Sequence, residues 1–373
     1  MSRSHKLAYI VTEDWFFASH FLPMLRAARD SGFEPIVVTR VRDHAALIEA
    51  AGARVVPLEA DRRSLNPLNI LSAVRRLARV LKQEEVERVH LIALRSILVG
   101  GAAAMLAGIE DRVFAVTGGG FLTARTDTAG RILARLVVLI VRRLLQSKRT
   151  QFLFENEDDP RSFDFEPGDA AVTIVGGAGV DPEHYRPLAN LPCPPLKIAV
   201  VSRMLWSKGI DLAVDAVTSV RSKGVAVELS LFGAPDPSNP KAISTKTLQD
   251  WSMREGITWR GFTADAREVW AEHHVACLPS RGGEGLPRTL LEAAACGRAI
   301  LTTDVPGCRS FVRDGIDGVV VPAGDAGALT KAILSLAADP AKVARFGRSA
   351  RARVEDGFTE AAVIAKVSQM YGR

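Results

Sequence analysis

Short apolar runs alternate along the chain with longer stretches in which apolar residues recur every three or four positions, the pattern of parallel strands joined by helices. In the first half the runs at 6–12, 35–39, 54–57, 88–92, 112–116, 151–154 and 172–175 read as strands, with helices near 20–31, 43–51, 67–83, 96–107 and 128–147. The proline-rich stretch RPLANLPCPPL, from Arg186 to Leu196, then interrupts the pattern. Proline stiffens connections, so a domain boundary is expected at about residue 190. Strands resume at 197–201, 226–232, 257–260, 275–278, 299–302 and 319–321, with helices near 209–223, 244–255, 264–272, 287–296, 307–313 and 325–338. A terminal helical segment covers about 340–370, and no internal repeat is visible. The pattern predicts two α/β domains with parallel sheets.

Length agrees, since 373 residues exceed the roughly 250–300 that one core supports. A composition of 47% hydrophobic and 24% charged residues is that of a globular protein and excludes a disordered chain. Cys193, Cys277, Cys296 and Cys308 form no CxxC and no close pair, so they read as reduced thiols of a cytoplasmic protein. The apolar run Lys6–Val11 is closed by Thr12, Glu13 and Asp14, which fits a first strand better than an export signal.

The net charge of +6 changes the picture through its distribution. Between residues 125 and 149 lie Arg125, Arg131, Arg135, Arg142, Arg143, Lys148 and Arg149 against the single acid Asp127, a local excess of seven minus one. At about 100° per residue, Arg131, Arg135, Arg142 and Arg149 share one narrow stripe of a helix over 128–147 whose other faces are apolar. Charge interrupts the segment too often for it to span a bilayer. Two readings stay open: an interfacial helix on anionic lipid, or a core helix with one wet basic face. Nucleic acid is not expected as a partner, because aromatic residues do not interleave with the cations.

The chemistry concentrates in PSRGGEGLPRTLLEAAACGRAI, residues 279–300, where Glu284 and Glu292 stand eight apart across a glycine-rich loop entering a helix. Pro287 suits the first turn, and such a helix aims free N–H groups and its positive dipole end at the loop, which favours a diphosphate. Carboxylates accept hydrogen bonds from paired hydroxyls, as on a sugar or a ribose. Upstream, the strand Ile198–Val201 leads into SRMLWSKGIDLAVDAV, where Arg203 and Lys208 occupy the strand-to-helix connection. Singly these are ordinary surface charges; together they suit phosphate.

This set resembles the retaining glycosyltransferases of family 4, which have the GT-B fold of two Rossmann-like domains facing a central cleft. The resemblance implies that Arg203 and Lys208 bind the donor diphosphate and that Glu284 and Glu292 hold donor sugar and ribose. Gly285, Leu286 and Arg288 are the implied backbone donors, since Pro287 has no N–H. Residues 1–190 would form the acceptor domain and 191–350 the nucleotide-sugar domain, with 351–373 a helix returning to the first. Segments VTGGGF (116–121), FENEDDPRSF (154–163), GGAGVDPEHYRP (176–187) and LLEAAACGRAILTTDVPGCR (290–309) are similar to a bacterial subgroup that adds N-acetylhexosamine to undecaprenyl-diphosphate-linked glycans.

On the acceptor side the candidates are Glu13, Asp14 and His20 after the first strand, His90 at the end of another, and Thr117, Gly118 and Gly119. The family's paired-glycine loop is missing after the first strand, and Thr117 stands where many members carry a donor-contacting histidine. The glycine triplet suits either a phosphate nest or a tight turn. The implied reaction is transfer from a UDP-sugar to a lipid-linked saccharide at the inner face of the cytoplasmic membrane, with no cofactor, no metal and no dedicated general base. A GT-B UDP-sugar epimerase and a non-catalytic membrane-binding module are the rival readings.

Overall fold

The computed structural model describes residues 5–59, 66–118, 128–166, 168–236 and 239–372. They fall into two compact units, Met1–Ala178 with Glu360–Arg373, and Gly179–Thr359.

The first unit holds β1 (His5–Glu13), β2 (Phe33–Arg40), β3 (Arg54–Pro57), β4 (Val86–Ile92), β5 (Asp111–Val116), β6 (Thr150–Phe154) and β7 (Val172–Ile174). All pair in parallel in the order 3-2-1-4-5-6-7. Such a sheet is covered on both faces, which is why its strands read as unbroken apolar runs. On one face α4 (Pro67–Gln83), α5 (Ala93–Ala107) and α6 (Thr128–Leu139) bury Leu77, Ile97 and Val137 against Ile10, Phe114 and Phe152. On the other, α1 (Asp14–His20), α2 (Leu22–Asp30) and α3 (Ala45–Ala50) pack Phe17, Leu25 and Ile48 against Leu7 and Tyr9.

The second unit repeats the plan with β8 (Leu196–Val201), β9 (Val227–Phe232), β10 (Ile257–Gly261), β11 (Val275–Leu278), β12 (Ala299–Thr303) and β13 (Gly318–Val321), in the order 10-9-8-11-12-13. Its helices are α7 (Ile210–Arg221), α8 (Thr245–Ser252), α9 (Ala266–Glu272), α10 (Arg288–Ala295), α11 (Pro306–Arg309), α12 (Ala326–Ala338) and α13 (Pro340–Glu355).

Two boundaries differ from the sequence expectation. The first unit ends at residue 178 instead of 190, because the segment that follows is built into the second unit: Tyr185 is buried beside Leu290 and Ala294, and Leu188 N–H donates to the Cys296 carbonyl at 3.1 Å. The terminal segment is two helices. α13 stays with the second unit, the chain turns where Phe358 meets Phe311 edge to face, and α14 (Glu360–Tyr371) belongs to the first. There Tyr371 Oη lies 2.6 Å from His90 Nδ1 and 2.9 Å from Tyr9 Oη, while Arg88 donates to the Tyr371 carbonyl at 2.6 Å. His90 is therefore a buried tie for the terminal helix and not a residue of an open site, and burial, with Arg88 beside it, depresses its pKa to about 3.

After β6 a short 3-10 turn, Asp159–Phe163, buries Asp159, whose side chain accepts from Asn156 Nδ2 at 2.9 Å. Burial pushes its pKa up to about 6. A carboxyl raised on folding contributes stability below its unfolded value, near 3.8, and that contribution disappears as pH climbs through 6. Asp159→Asn should thus gain stability at pH 7, on the order of 2 kcal/mol, and flatten the decline in stability between pH 4 and 6. Denaturant titrations of both proteins across that range check this; an unchanged slope refutes it.

Candidate functional site

Strand order reverses in the second unit between β8 and β11, the position where open parallel sheets bind ligands outside their carboxyl ends. The loops leaving these two strands carry the sequence-predicted donor residues. They are locked together by backbone contact. Arg281 N–H donates to the Ser207 carbonyl at 2.8 Å, and its guanidinium bonds the Trp206 carbonyl and both carboxylate oxygens of Asp211 at 2.6–2.7 Å. Gly209 ends the short turn Trp206–Lys208 at φ +68, and a Cβ there would lie 1.9 Å from the Pro279 carbonyl oxygen, so only glycine lets the loops approach this closely. The far side is as tight: a Cβ on Gly307 of α11 would meet the Gly285 carbonyl oxygen at 1.7 Å.

This stitching brings Lys208 Nζ to 2.7 Å from both oxygens of Glu284, with side chains only 16% and 10% exposed. Ser280 Oγ donates to Glu284 Oε1 at 2.6 Å, and Ser280 is itself held by Thr303, whose hydroxyl donates to its carbonyl at 2.6 Å. Arg203 differs: its side chain is 47% exposed, and its guanidinium stands 3.8 Å from Asp236.

Glu292 lies inside α10, where its Oε1 accepts from Tyr185 Oη at 3.0 Å and from Arg288 Nε at 2.9 Å. Burial raises its pKa, against the pull of Arg288 and Tyr185. Gly285 and Leu286 are buried in the loop that enters α10, whose start has no side-chain cap. Arg203, Lys208, Glu284, Gly285, Leu286, Arg288 and Glu292 thus gather around the ends of two adjacent strands. Sequence reasoning passed over Tyr185, Ser280 and Arg281. Tyr185 lies in the segment 176–187, which carried a family likeness but no assigned role, 107 positions from its partner, and only the tertiary fold reveals the contact.

The acceptor-side candidates of the first unit are not assembled in this way. Asp14 is fully buried and accepts from the backbone N–H groups of Trp15, Arg42 and His44 at 2.6–3.0 Å. Burial works to raise its pKa, but those donors hold it below the usual carboxylate range. It organises the loop after β2. Glu13 accepts from Arg40 at 3.3 Å, and His20, partly buried, packs on Phe16 with its Nδ1 2.6 Å from Ser19 Oγ. Thr117 and Gly118 are half-buried at the end of β5, and Gly119 lies outside the described residues.

The basic segment also departs from expectation. α6 gives way at Ile140 to a π-helical turn, Ile140–Leu145, which carries more residues per turn and rotates every later side chain out of register. Arg142 leaves the stripe and sets its guanidinium 3.8 Å over the Phe165 ring. Arg149 lies beyond the helix, in the turn before β6. Arg125 and Asp127 fall outside the described residues. Ile132, Leu133, Leu136, Leu139 and Leu144 are solvent-exposed, Ile132 at 63%, beside exposed Arg131, Arg135 and Arg143. No described helix is long and apolar enough to cross a membrane.

Residues 6–156 match the model of the glycosyl transferase 4-like family and residues 195–339 that of the glycosyl transferases group 1. The chain is 27% identical over 316 residues to the N,N'-diacetylbacillosaminyl-diphospho-undecaprenol alpha-1,3-N-acetylgalactosaminyltransferase of Campylobacter jejuni, covering 80% of this chain and 81% of that one. It is 26% identical to the amylovoran biosynthesis glycosyltransferase AmsK of Erwinia amylovora, over 52% of this chain and about half of AmsK. Anabaena HepE, solved with UDP and glucose, superimposes with a TM-score of 0.76 at 15% identity over 98% of both chains, and supports the GT-B fold. Two parallel-sheet Rossmann-like units, each matched by its own family model, make this chain a family 4 glycosyltransferase of GT-B fold.

Proposed function

We propose that the enzyme transfers an N-acetylhexosamine from a UDP-sugar to a polyprenyl-diphosphate-linked saccharide, with retention at the anomeric carbon. The observation that carries the donor side is the nearly buried cluster of Lys208, Glu284 and Ser280 beside the start of α10. The diphosphate would lie against Arg203, Lys208 and the first amides of α10, which meet the charge that grows as the leaving group departs. Glu284 would hold hydroxyls of the transferred sugar, and Glu292, steadied by Tyr185 and Arg288, those of the ribose. The leaving oxygen would assist the incoming hydroxyl on the same face, so no separate base is assigned. The lipid-linked acceptor is supported by the Campylobacter relative and by the apolar, basic surface of α6. That surface would dock the enzyme on anionic membrane, an expectation that favours the interfacial reading over a core helix with a wet edge.

Incubation with UDP-sugars, with and without lipid extract, tests this reading: acceptor-dependent UDP release supports it. An isomerised sugar nucleotide identifies an epimerase, and binding to lipid without any turnover a membrane module.

Arg203→Ala and Lys208→Ala should each lower turnover roughly 30- to 1000-fold and weaken UDP binding. They should differ in stability. Loss of Lys208 leaves Glu284 without its counter-ion and costs about 3 kcal/mol, whereas loss of half-exposed Arg203 changes stability by no more than about 0.5 kcal/mol. Calorimetry, thermal melts and initial rates separate the two; full activity in both variants removes the donor-site assignment.

Because side-chain and helix-terminal positive charge serves the diphosphate in this proposal, activity should survive EDTA. Loss of activity that is restored by Mg²⁺ or Mn²⁺ would show that the diphosphate is held differently.

Charge reversal of Arg131, Arg135 and Arg143 to Glu should abolish flotation with anionic liposomes while UDP affinity persists. Each cation near such a surface contributes about 1 kcal/mol, so wild-type binding should fade with salt. A wild-type protein that ignores anionic liposomes at low salt eliminates the membrane contact.

A further inference from the structure

The first unit carries a cavity that none of the predicted acceptor residues explains. It opens at the carboxyl ends of β1 and β2, between α4 and α5, and encloses about 170 Å³. Val38, Ile70, Ala73 and Val99 form much of its apolar wall, and Arg76 and Arg95 also line it. Ser96, only 3% exposed, reaches the same space, and its hydroxyl makes no hydrogen bond to the described residues. It sits in the first turn of α5, which has no side-chain cap and starts from Ala93 at φ +69, a left-handed conformation that a residue with a side chain adopts only under constraint.

The chemistry of the lining selects the occupant. Thr12, Thr39, Asn69 and Ser72 add polar groups at the rim, as does Glu59, which is paired with Arg40. Apolar surface still predominates in the lining, more than a saccharide's hydroxyls can use, and a bare phosphate would leave it in contact with water. An apolar chain ending in a phosphate satisfies both parts, with hydrocarbon on the wall and the anion on Arg76, Arg95, Ser96 and the first amides of α5. Size agrees, since an apolar cavity of about 150 Å³ accepts a six-carbon ring, so this one accepts one or two five-carbon units. The surroundings provide an exit for the rest of the chain. α4, α5 and α6 each lead from one parallel strand back to the start of the next, so all three begin at the carboxyl ends, where the cavity opens. There α4 exposes Leu68, at 75%, and Leu71, and α6 exposes Ile132 and Leu136.

We propose that this cavity seats the phosphate-proximal isoprene units of a polyprenyl diphosphate, with Arg76 and Arg95 meeting the phosphates. The inference rests on the lipid-linked acceptor proposed above and assigns where its lipid end binds.

The test titrates the full-length protein with farnesyl diphosphate, inorganic pyrophosphate and UDP, followed by calorimetry. Farnesyl diphosphate should bind at least ten-fold tighter than pyrophosphate. Ala73→Phe, which fills the cavity, and Ser72→Trp, which blocks its mouth from an exposed position, should each weaken farnesyl diphosphate at least ten-fold and leave UDP affinity intact. Intact UDP affinity reports that the second unit is folded, and a thermal melt that matches wild type reports the same for the first. Arg76→Glu with Arg95→Glu should remove the preference for farnesyl diphosphate over farnesol. Equal affinity for pyrophosphate and farnesyl diphosphate, or farnesyl diphosphate binding unchanged in both cavity variants, overturns the proposal. Failure of the transferase reading shows separately, as absence of UDP release with any acceptor, and leaves these binding results to stand or fall alone.

Discussion

The contact between the loops after β8 and β11 is the constraint on which the site depends. Backbone meets backbone where Gly209 passes the Pro279 carbonyl, and Arg281 stitches one loop to the other through Ser207, Trp206 and Asp211. Only with the loops in this register does Lys208 reach Glu284, 76 positions away. The pair is largely removed from water, so neither charge is tolerable without the other, and the hydroxyl of Ser280 limits where the carboxylate can turn. Two hydrophilic side chains are thereby held in a fixed geometry, the condition for acting on a charged, hydroxyl-bearing ligand without reorganising at the moment of reaction.

Much of this was legible in the sequence, for identifiable reasons. Strands buried on both faces are continuous apolar runs, and β11, at Val275–Leu278 and buried throughout, has the limits that its pattern predicts. Glu284, Glu292, Arg203 and Lys208 were legible because one loop and one helix start display them at short range. What local pattern does not contain is the partner from afar. Tyr185 had no role in the sequence reading and proves to orient Glu292; His90 looked like a residue at a strand end and proves to be sealed against Tyr371. Asp14 looked available, yet its carboxylate is consumed by three backbone donors. Each time a deciding partner lies far away in sequence: Arg42 28 positions from Asp14, Tyr185 107 from Glu292 and Tyr371 281 from His90.

The basic segment shows the same limit within one helix. A stripe drawn at constant pitch assumes an unbroken α-helix, and the π turn at Ile140 breaks that assumption. Arg142 becomes a packing residue over Phe165, and the cations left on the surface are accompanied by exposed leucine and isoleucine. An apolar residue that faces water costs hydration free energy, and five of them between Ile132 and Leu144 form a surface for which contact with an apolar phase is favourable.

The two units share a topology and differ in what they place at the reversal of strand order. In the second unit the ends of β8 and β11 carry paired, nearly buried charges. In the first, the ends of β1 and β4 carry a carboxylate already saturated by backbone, a strained Ala93, and an apolar cavity edged by arginine. In the proposed reading, the rigid charge and hydroxyl chemistry of the donor belongs to the second unit, and hydrocarbon with an anionic end to the first. A reaction that joins a sugar nucleotide to a lipid-borne acceptor needs that division: the donor requires rigid electrostatics, whereas the acceptor's lipid is held by apolar area and a few cations, and apolar contact, being non-directional, tolerates a flexible chain.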